Sequence, residues 1–292
     1  MDPVHIPVML RETLEWLNIR PDGIYVDATA GLGGHTGAIA QRLTTGLVIA
    51  SDCDAESLEI ARRNTAPWAD RIRYRHGWFS TLAADLVAMG IPKVDGLTAD
   101  LGASFYQLRS KERGFSIQAG GALDMRFDRG ASVTAGHIIN TLNEKSLVEL
   151  LEQRGEERGK RARLIARAVT GARPIQSIQE LARVVERVVP RAGRRIHPAT
   201  QSFMALRRAV NREDEELAAL LAAAPELVRG GCRIAIISFM SLEDRSVKRA
   251  FNDLVRQGRA IRLLKHVLRP AEEEVRSNPA ARSARLRVVE MK

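Results

Sequence analysis

The chain has 292 residues, of which 45% are hydrophobic and 27% charged, and its formal net charge is +10. This length suits one large α/β domain or one domain with an insertion, because domains usually contain about 100–200 residues. No apolar run approaches the roughly 20 residues of a membrane span and the N-terminus has no signal-peptide pattern, so we expect a soluble, cytoplasmic protein. Cys53 and Cys232 have neither metal-binding nor redox spacing, and no metal is expected.

Apolar and helical patterns alternate through the first hundred residues, which is typical of a parallel sheet with crossover helices. The apolar runs predict strands at 24–26, 47–50, 72–74 and 94–99. From about residue 144 to 227 the pattern is helical, with helices predicted at 146–151, 163–170, 177–189 and 200–223. Strands return at 233–239, 261–267 and 285–290, with a helix over 242–258. The sequence therefore predicts an α/β protein with one doubly wound sheet, interrupted by a helical insertion after the fourth strand.

The most informative pattern is the turn that follows the first strand. That strand ends at Asp27, and the turn contains Gly31, Gly33 and Gly34 before a helix begins near Thr36. Glycines allow positive φ and a close approach of a ligand, and the helix start supplies free N–H groups. The second strand ends at Asp52, the position from which α/β proteins bind ribose hydroxyls. Together they predict a nucleoside-containing cofactor, although Gly-x-Gly also occurs in turns that bind nothing.

Two cofactors fit this turn. A dinucleotide fingerprint requires Gly or Ala at the position of Thr36. Asp27, four residues before the first glycine, repels phosphate and suits a cationic ligand. S-adenosylmethionine carries a sulfonium and an ammonium group and no phosphate, so the pattern favours it over NAD.

Asp100, at the end of the fourth strand, is the candidate catalytic residue. Its carboxylate would face the reactive end of the cofactor and accept a hydrogen bond from an exocyclic amine. That amine is a poor nucleophile because its lone pair is delocalised, and accepting its N–H favours the pyramidal, attacking form. The alternative is that Asp100 serves only as the N-cap of the next helix.

Other side chains near the same strand ends have two interpretations each. His35 either contacts the cofactor or caps its helix, and Phe79 either lies against adenine or belongs to the core. Phe105 and Tyr106 either stack on a base or pack inside the protein. Residues 241–245 read as a helix start, for which ordinary capping is a sufficient explanation.

The positive charge is concentrated in one part of the chain. Between residues 153 and 212, fifteen basic residues stand against four acidic ones, and the rest of the chain is nearly neutral. Most are arginines, whose planar guanidinium suits phosphate. A solvated helix face is the commoner reason for a charge run, but so localised a surplus favours nucleic acid. Because aromatic residues are only 4% of the chain, we expect backbone contacts rather than base stacking to dominate.

The ordered motifs of this chain resemble those of the bacterial RsmH (MraW) methyltransferases. The resemblance covers nearly the whole length and is carried by residues 5–10, 20–23, 31–35, 112–116, 123–126, 155–158, 197–200, 241–245 and 278–279. It implies S-adenosylmethionine-dependent methylation of N4 of a cytidine in the 16S RNA of the small ribosomal subunit, on a Rossmann-like class I methyltransferase sheet with an inserted helical domain.

The resemblance also implies a division of the chain and a set of binding residues. It divides the chain into a first part of the methyltransferase domain at 1–105, an inserted, basic, RNA-binding helical domain at 106–205 and a second part at 206–292. The residues that it implies for S-adenosylmethionine are Gly33, Gly34, His35, Asp52, Phe79, Asp100 and Gln107.

This chain departs from the family pattern at several positions on the substrate side. Phe105 stands where the family usually has a second serine, Met240 replaces a histidine and Met204 replaces a glutamine. A cysteine-bearing segment common near the family's C-terminus is missing. These departures motivate an alternative hypothesis, an RNA-binding factor that keeps the cofactor pocket but has lost transfer or changed its specificity. An NAD-dependent enzyme is the third hypothesis.

Overall fold

The computed structural model describes residues 7–155, 157, 159–189 and 197–292. The strands in these residues are β1 (Ile24–Asp27), β2 (Leu47–Asp52), β3 (Ile72–His76), β4 (Val94–Asp100), β5 (Val228–Ser238), β6 (Ala260–Arg262) and β7 (Arg285–Met291). The helices are α1 (Leu10–Leu17), α2 (Gly34–Ala40), α3 (Ala55–Asn64), α4 (Leu82–Ala88), α5 (Phe105–Arg109), α6 (Ala135–Thr141), α7 (Glu144–Gly155), α8 (Lys160–Gly171), α9 (Ile178–Val188), α10 (Thr200–Val210), α11 (Glu213–Leu227), α12 (Ser241–Arg256) and α13 (Glu272–Ser277). No helix in these residues combines the length and apolar character that a membrane crossing requires.

The seven strands form one sheet in the order β3-β2-β1-β4-β5-β7-β6. The first five strands of the chain run parallel, and β7 pairs antiparallel with both β5 and β6. This confirms the predicted α/β sheet. Because neighbouring parallel strands end at the same edge, the final residues of β1, β2 and β4 lie along one edge of the sheet. Those residues are Asp27, Asp52 and Asp100.

Both faces of this sheet are covered by apolar side chains. In β1, Val26 belongs to one buried cluster and Tyr25 to another, because successive residues of a strand point to opposite faces. The first cluster includes residues of α4, α11 and α12, and the second includes residues of α1, α2 and α3. Burial on both faces explains why the strands read as continuous apolar runs rather than as alternating ones.

The chain divides into two compact units, one of residues 1–102 with 214–292 and the other of residues 103–213. The inserted unit ends at residue 213, whereas the family resemblance implied a boundary at 205. That boundary cuts through α10, whose Phe203 and Leu206 are buried in the apolar core of the inserted unit, together with residues of α7, α8 and α9. The whole of α10 therefore belongs to the inserted unit.

Two predicted elements are wrong in their extent. The helix expected over 200–223 is two helices, because Arg212 adopts φ +50 and the Asn211 side chain bonds with the backbone of Phe127 and Met125. The strand expected over 261–267 is shorter: only β6, Ala260–Arg262, pairs with β7. Beyond it, Leu263 and Leu264 pack against a buried cluster of the same unit instead of continuing the ladder.

Candidate active site

The Asp27 carboxylate forms its hydrogen bonds within the glycine turn. Its Oδ2 accepts a hydrogen bond from the Thr36 hydroxyl at 2.7 Å, its Oδ1 accepts the Thr29 N–H at 3.3 Å, and only 1% of the residue is exposed. Burial raises the pKa of Asp27, and His35 and the Thr36 hydrogen bond oppose that rise. The carboxylate expected to face a cationic ligand is therefore enclosed, and it acts on its surroundings through its charge.

Asp52 connects the end of β2 to the glycine turn. Its Oδ2 accepts the N–H of Gly31 at 2.8 Å, and its Oδ1 accepts the N–H of Asp54 at 2.9 Å. Burial is the main cause that raises the pKa of Asp52 to about 6, and the charges of Asp54 and Asp27 add to it. The residue is half-buried, so lone pairs of this carboxylate remain for ligand hydroxyls near neutral pH.

Asp100 ends β4 with an unusual environment. Its backbone N–H donates to the Thr29 hydroxyl at 2.6 Å, while its Oδ1 is buried and has no hydrogen-bond partner in the described part of the chain. Burial, followed by the charges of Asp27, Glu243 and Glu274, raises the pKa of Asp100 well above its ordinary value. A buried acceptor without a partner is costly, so this atom is suited to a bound group that donates or carries positive charge.

The alternative role of Asp100 as a helix N-cap is wrong. Ser104 is the N-cap of α5, and its hydroxyl accepts the N–H of Gln107 at 3.2 Å. In return the Gln107 side-chain oxygen accepts the N–H of Ser104 at 2.8 Å, which completes a capping box. Gln107 is thus buried within the inserted unit, and its implied contact with the cofactor stays a prediction.

The glycines of the turn serve different purposes. Gly33 has φ +90, and a Cβ there would lie 2.8 Å from Cγ2 of Thr65, the residue that directly follows α3. A Cβ on Gly34 would clash with the ring of Pro7. Gly31 has φ +50 and open surroundings, with the Thr29 carbonyl oxygen 3.8 Å from a Cβ. The absent side chains of Gly33 and Gly34 therefore make room for the protein itself, and Gly31 leaves space for a ligand.

The sequence allows two interpretations each for His35 and Phe79. The His35 ring is buried and its Nε2 lies 3.1 Å from the Val8 carbonyl oxygen, while the α2 N-cap is Gly33, so capping is not its role. Phe79 is half-buried and packs against one of the sheet's apolar clusters. Neither observation tests contact with a cofactor, and both contacts stay predictions.

Two charged residues that the sequence analysis missed hold the segment around Phe79. The Glu216 carboxylate accepts the N–H of Ser80 at 2.8 Å and its hydroxyl at 3.0 Å. Arg75 is 3% exposed, donates to the Trp78 carbonyl oxygen at 2.9 Å and pairs with Asp85, whose pKa that contact lowers. No local motif marks either residue. Glu216 lies on α11, more than a hundred residues after Ser80 in the chain.

Residues 241–245 begin a helix, as predicted. Glu243 is buried and its Oε2 accepts the N–H groups of Phe239 at 3.2 Å and Met240 at 3.1 Å. This fixes the turn between β5 and α12 beside the end of β4, because Asp100 lies opposite Ile237 in the ladder. The helix start therefore shapes the site edge and supplies one of the charges that act on Asp100.

The surplus arginines of the inserted unit divide into two groups. Some hold the unit together through hydrogen bonds to main-chain carbonyls or through carboxylates, namely Arg154, Arg161, Arg173, Arg207 and Arg208. Others are exposed, namely Lys160, Arg163, Arg167, Arg183, Arg187 and Arg212. Arg158, Arg191, Arg194 and Arg195 lie outside the described residues. The charge run is therefore partly architectural, and the cations of the second group are exposed.

The family assignment rests on comparison with known proteins. The MraW methylase family matches residues 2–292. The chain belongs to this family. It is 54% identical to the ribosomal RNA small subunit methyltransferase H of Solibacter usitatus over 99% of this chain and 100% of the relative. It is 43% identical to the protein of the same name from Coprothermobacter proteolyticus, over 97% of this chain and 95% of the relative.

Membership in the MraW family makes this chain a methyltransferase, and the predicted cofactor, S-adenosylmethionine, is confirmed over NAD. The unpartnered Oδ1 of Asp100 and the carboxylates around it fit this cofactor, because its sulfonium and ammonium groups are cationic. The residues near the site that the sequence did not predict are Thr29, Arg75, Glu216 and Glu274. Each is a polar side chain that acts on residues elsewhere in the chain, so no local motif marks it. The aspartates and glycines had clearer signals, since each lies at a predicted strand end or turn.

Proposed function

We propose that this chain transfers a methyl group from S-adenosylmethionine to N4 of a cytidine in small-subunit ribosomal RNA. The observation that carries the proposal is the buried, unpartnered Oδ1 of Asp100 at the end of β4. An oxygen in that state accepts a hydrogen bond from an exocyclic amine without first giving up a protein partner. The names of the relatives, ribosomal RNA small subunit methyltransferase H, supply the substrate class.

The residues proposed to hold the cofactor lie at the carboxyl edge of β1, β2 and β4 and in the segments that follow. The cofactor supplies a methyl group on positively charged sulfur. Asp52 would accept the ribose hydroxyls, and the turn at Gly33, Gly34 and His35 would provide backbone contacts. Phe79 would lie against the adenine ring. Gln107 completes the proposed set through the family resemblance.

Asp100 would orient the amine and receive its proton. Accepting the N–H at Asp100 turns the nitrogen lone pair toward the methyl group, and positioning of this kind supplies much of the barrier reduction. Formation of the N–C bond, as the bond between the methyl carbon and sulfur breaks, would leave an excess proton on N4. A carboxylate with a raised pKa takes that proton more readily than an ordinary one, and passes it to solvent.

The exposed cations of the inserted unit would contact the RNA backbone. Lys160, Arg163 and Arg167 lie on α8, and Arg183 and Arg187 lie on α9, all of them exposed. Contacts between such side chains and phosphates release counterions, so affinity for RNA should fall steeply with salt.

The test uses small ribosomal subunits from a strain that lacks its own copy of this methyltransferase. These subunits are incubated with the purified chain and labelled S-adenosylmethionine, and the RNA is digested to nucleosides for mass spectrometry. We expect labelled N4-methylcytidine. Label in another nucleoside would contradict the proposed target, and label in no nucleoside would contradict the RNA substrate.

A further inference from the structure

A narrow cleft lies on the methyltransferase unit between α12 and the strands β6 and β7. It has a volume of about 70 Å3, far below the ~300–1,000 Å3 of sites that enclose drug-sized ligands. Phe251 and Val288 form part of its apolar floor and both are buried. The cleft therefore has room for a small group such as a phosphate, rather than for a second cofactor.

The rim of this cleft is basic. Lys248, Arg262, Lys265 and His266 line it and are all exposed, and no carboxylate is among its lining residues. Arg287 also lines it, but its charge is compensated by Asp244 through contacts of 2.7 and 3.1 Å. The net charge of the rim is therefore positive.

The exposed cations of the rim lack acidic partners. Lys248 and Lys265 make no hydrogen bond or ion pair within the residues that the structure describes. Arg262 donates to the side-chain oxygen of Asn252 at 2.8 Å, which is a neutral acceptor. Because like charges repel, three cations around one narrow cleft are most stable when an anion occupies it.

The cleft lies on the same helix that borders the transfer site. α12 begins at Ser241, beside the end of β5, and Glu243 in its first turn contributes to the field at Asp100. Lys248 follows Glu243 by five residues, a rise of about 7–8 Å along the helix axis. An RNA strand with its target base at Asp100 can therefore extend along α12 to this cleft.

We propose that the cleft bounded by Lys248, Arg262 and Lys265 binds a backbone phosphate of the substrate RNA, near the target nucleotide. The proposal rests on the function proposed above and adds an RNA contact on the methyltransferase unit, outside the basic inserted unit. The sequence did not indicate this contact, because the net charge of the chain outside the inserted unit is close to zero. Phosphate contacts of this kind position the nucleic acid without reading its sequence.

The experiment compares two double variants of the full chain. The test variant is Lys248→Gln with Lys265→Gln, and the control is Lys93→Gln with Lys292→Gln, which removes two lysines from the same unit at the opposite edge of the sheet. Affinity for small ribosomal subunits and for protein-free small-subunit RNA is measured between about 50 mM and about 200 mM salt. Cofactor titration of each variant verifies that the fold is intact.

Loss of the one bound phosphate should make the salt dependence of RNA affinity shallower. We expect the affinity of the parent chain to fall roughly threefold more than that of the test variant over this salt range, and the control to behave as the parent. A test variant with the salt dependence of the control overturns the proposal. A loss seen with intact subunits but not with protein-free RNA also overturns it, and indicates a ribosomal protein as the partner. These are binding measurements, so they remain decisive if the parent chain methylates no RNA.

Discussion

The Oδ2 atom of Asp52 accepts the backbone N–H of Gly31 at 2.8 Å. This contact joins the end of β2 to the turn that follows β1. The glycine turn and the aspartate at the strand end, which are the two strongest signals in the sequence, are therefore in direct contact. The same carboxylate also accepts the N–H of Asp54 at the start of α3. Asp52 therefore fixes two loops at the site edge, in addition to its proposed contact with ribose hydroxyls.

The raised pKa of Asp52 predicts that this residue makes the fold less stable as pH rises. Its folded pKa of about 6 exceeds the ordinary aspartate pKa of 3.8, so between these pH values the folded chain holds a proton that the unfolded chain has released. The free energy of unfolding should therefore decrease through this window, by about 3 kcal/mol from Asp52 alone. Urea unfolding of the parent chain and Asp52→Asn, at pH values between about 4 and 7, measures the difference. A parent-minus-variant difference that is independent of pH would contradict the assignment.

Replacement of Asp100 should separate activity from stability. Asp100→Asn removes the proton acceptor, and we expect transfer to fall by about 10²–10⁴-fold. The cofactor-free variant should unfold at a higher temperature than the parent, because Asn is neutral beside Asp27, Glu243 and Glu274. Single-turnover transfer and thermal unfolding are measured on the same preparation. An active variant would remove Asp100 from the mechanism, and a less stable one would contradict the electrostatic account.

We predict that Gly33 does not tolerate a side chain, because a side chain there would overlap with another residue of the protein. Gly33→Ala should destabilise the fold by about 2–4 kcal/mol, from the positive φ and from overlap with Cγ2 of Thr65. Thr65→Ser removes that methyl group but keeps the hydroxyl that donates to the Ala61 carbonyl oxygen.

The double variant Gly33→Ala, Thr65→Ser should therefore recover part of the loss, about 1 kcal/mol in a double-mutant cycle of urea unfolding. Gly31→Ala is the matched control, because its Cβ would meet only open space and the Thr29 carbonyl oxygen at 3.8 Å. Equal losses at the two glycines, with no rescue, would show that overlap with Thr65 is not the cause.

Glu216 should affect cofactor binding without touching the cofactor. Glu216→Ala removes the acceptor of both Ser80 hydrogen bonds, and Phe79 is the preceding residue. Loss of about 1 kcal/mol of positioning energy corresponds to roughly fivefold weaker S-adenosylmethionine binding by calorimetry. Glu226→Ala, which removes an exposed glutamate of the same helix, is the control. Unchanged affinity in Glu216→Ala would mean that the Phe79 segment does not contribute to the cofactor site.

The sequence by itself determined the sheet, the helical insertion and the placement of Asp27, Asp52 and Asp100 at strand ends. Its local periodicity and its glycines were sufficient, because strand, turn and helix preferences depend on near neighbours. The sequence also predicted the cofactor class, since acidic strand ends with a glycine turn leave few alternatives. It could not show that Asp27 is enclosed, because that depends on hydrogen bonds from Thr36 and Thr29 in the folded turn.

Only the tertiary structure determined which charged side chains are paired within the protein and which are exposed at its surface. Arg154 and Arg208 appeared in the sequence as part of a nucleic-acid surface, but each donates to the other's main-chain carbonyl across two packed helices. The cations at Lys248 and Lys265 were hidden within a nearly neutral stretch, yet the fold brings them to one cleft. Net charge is a sum over sequence, whereas binding depends on which side chains share a surface, and only long-range packing determines that.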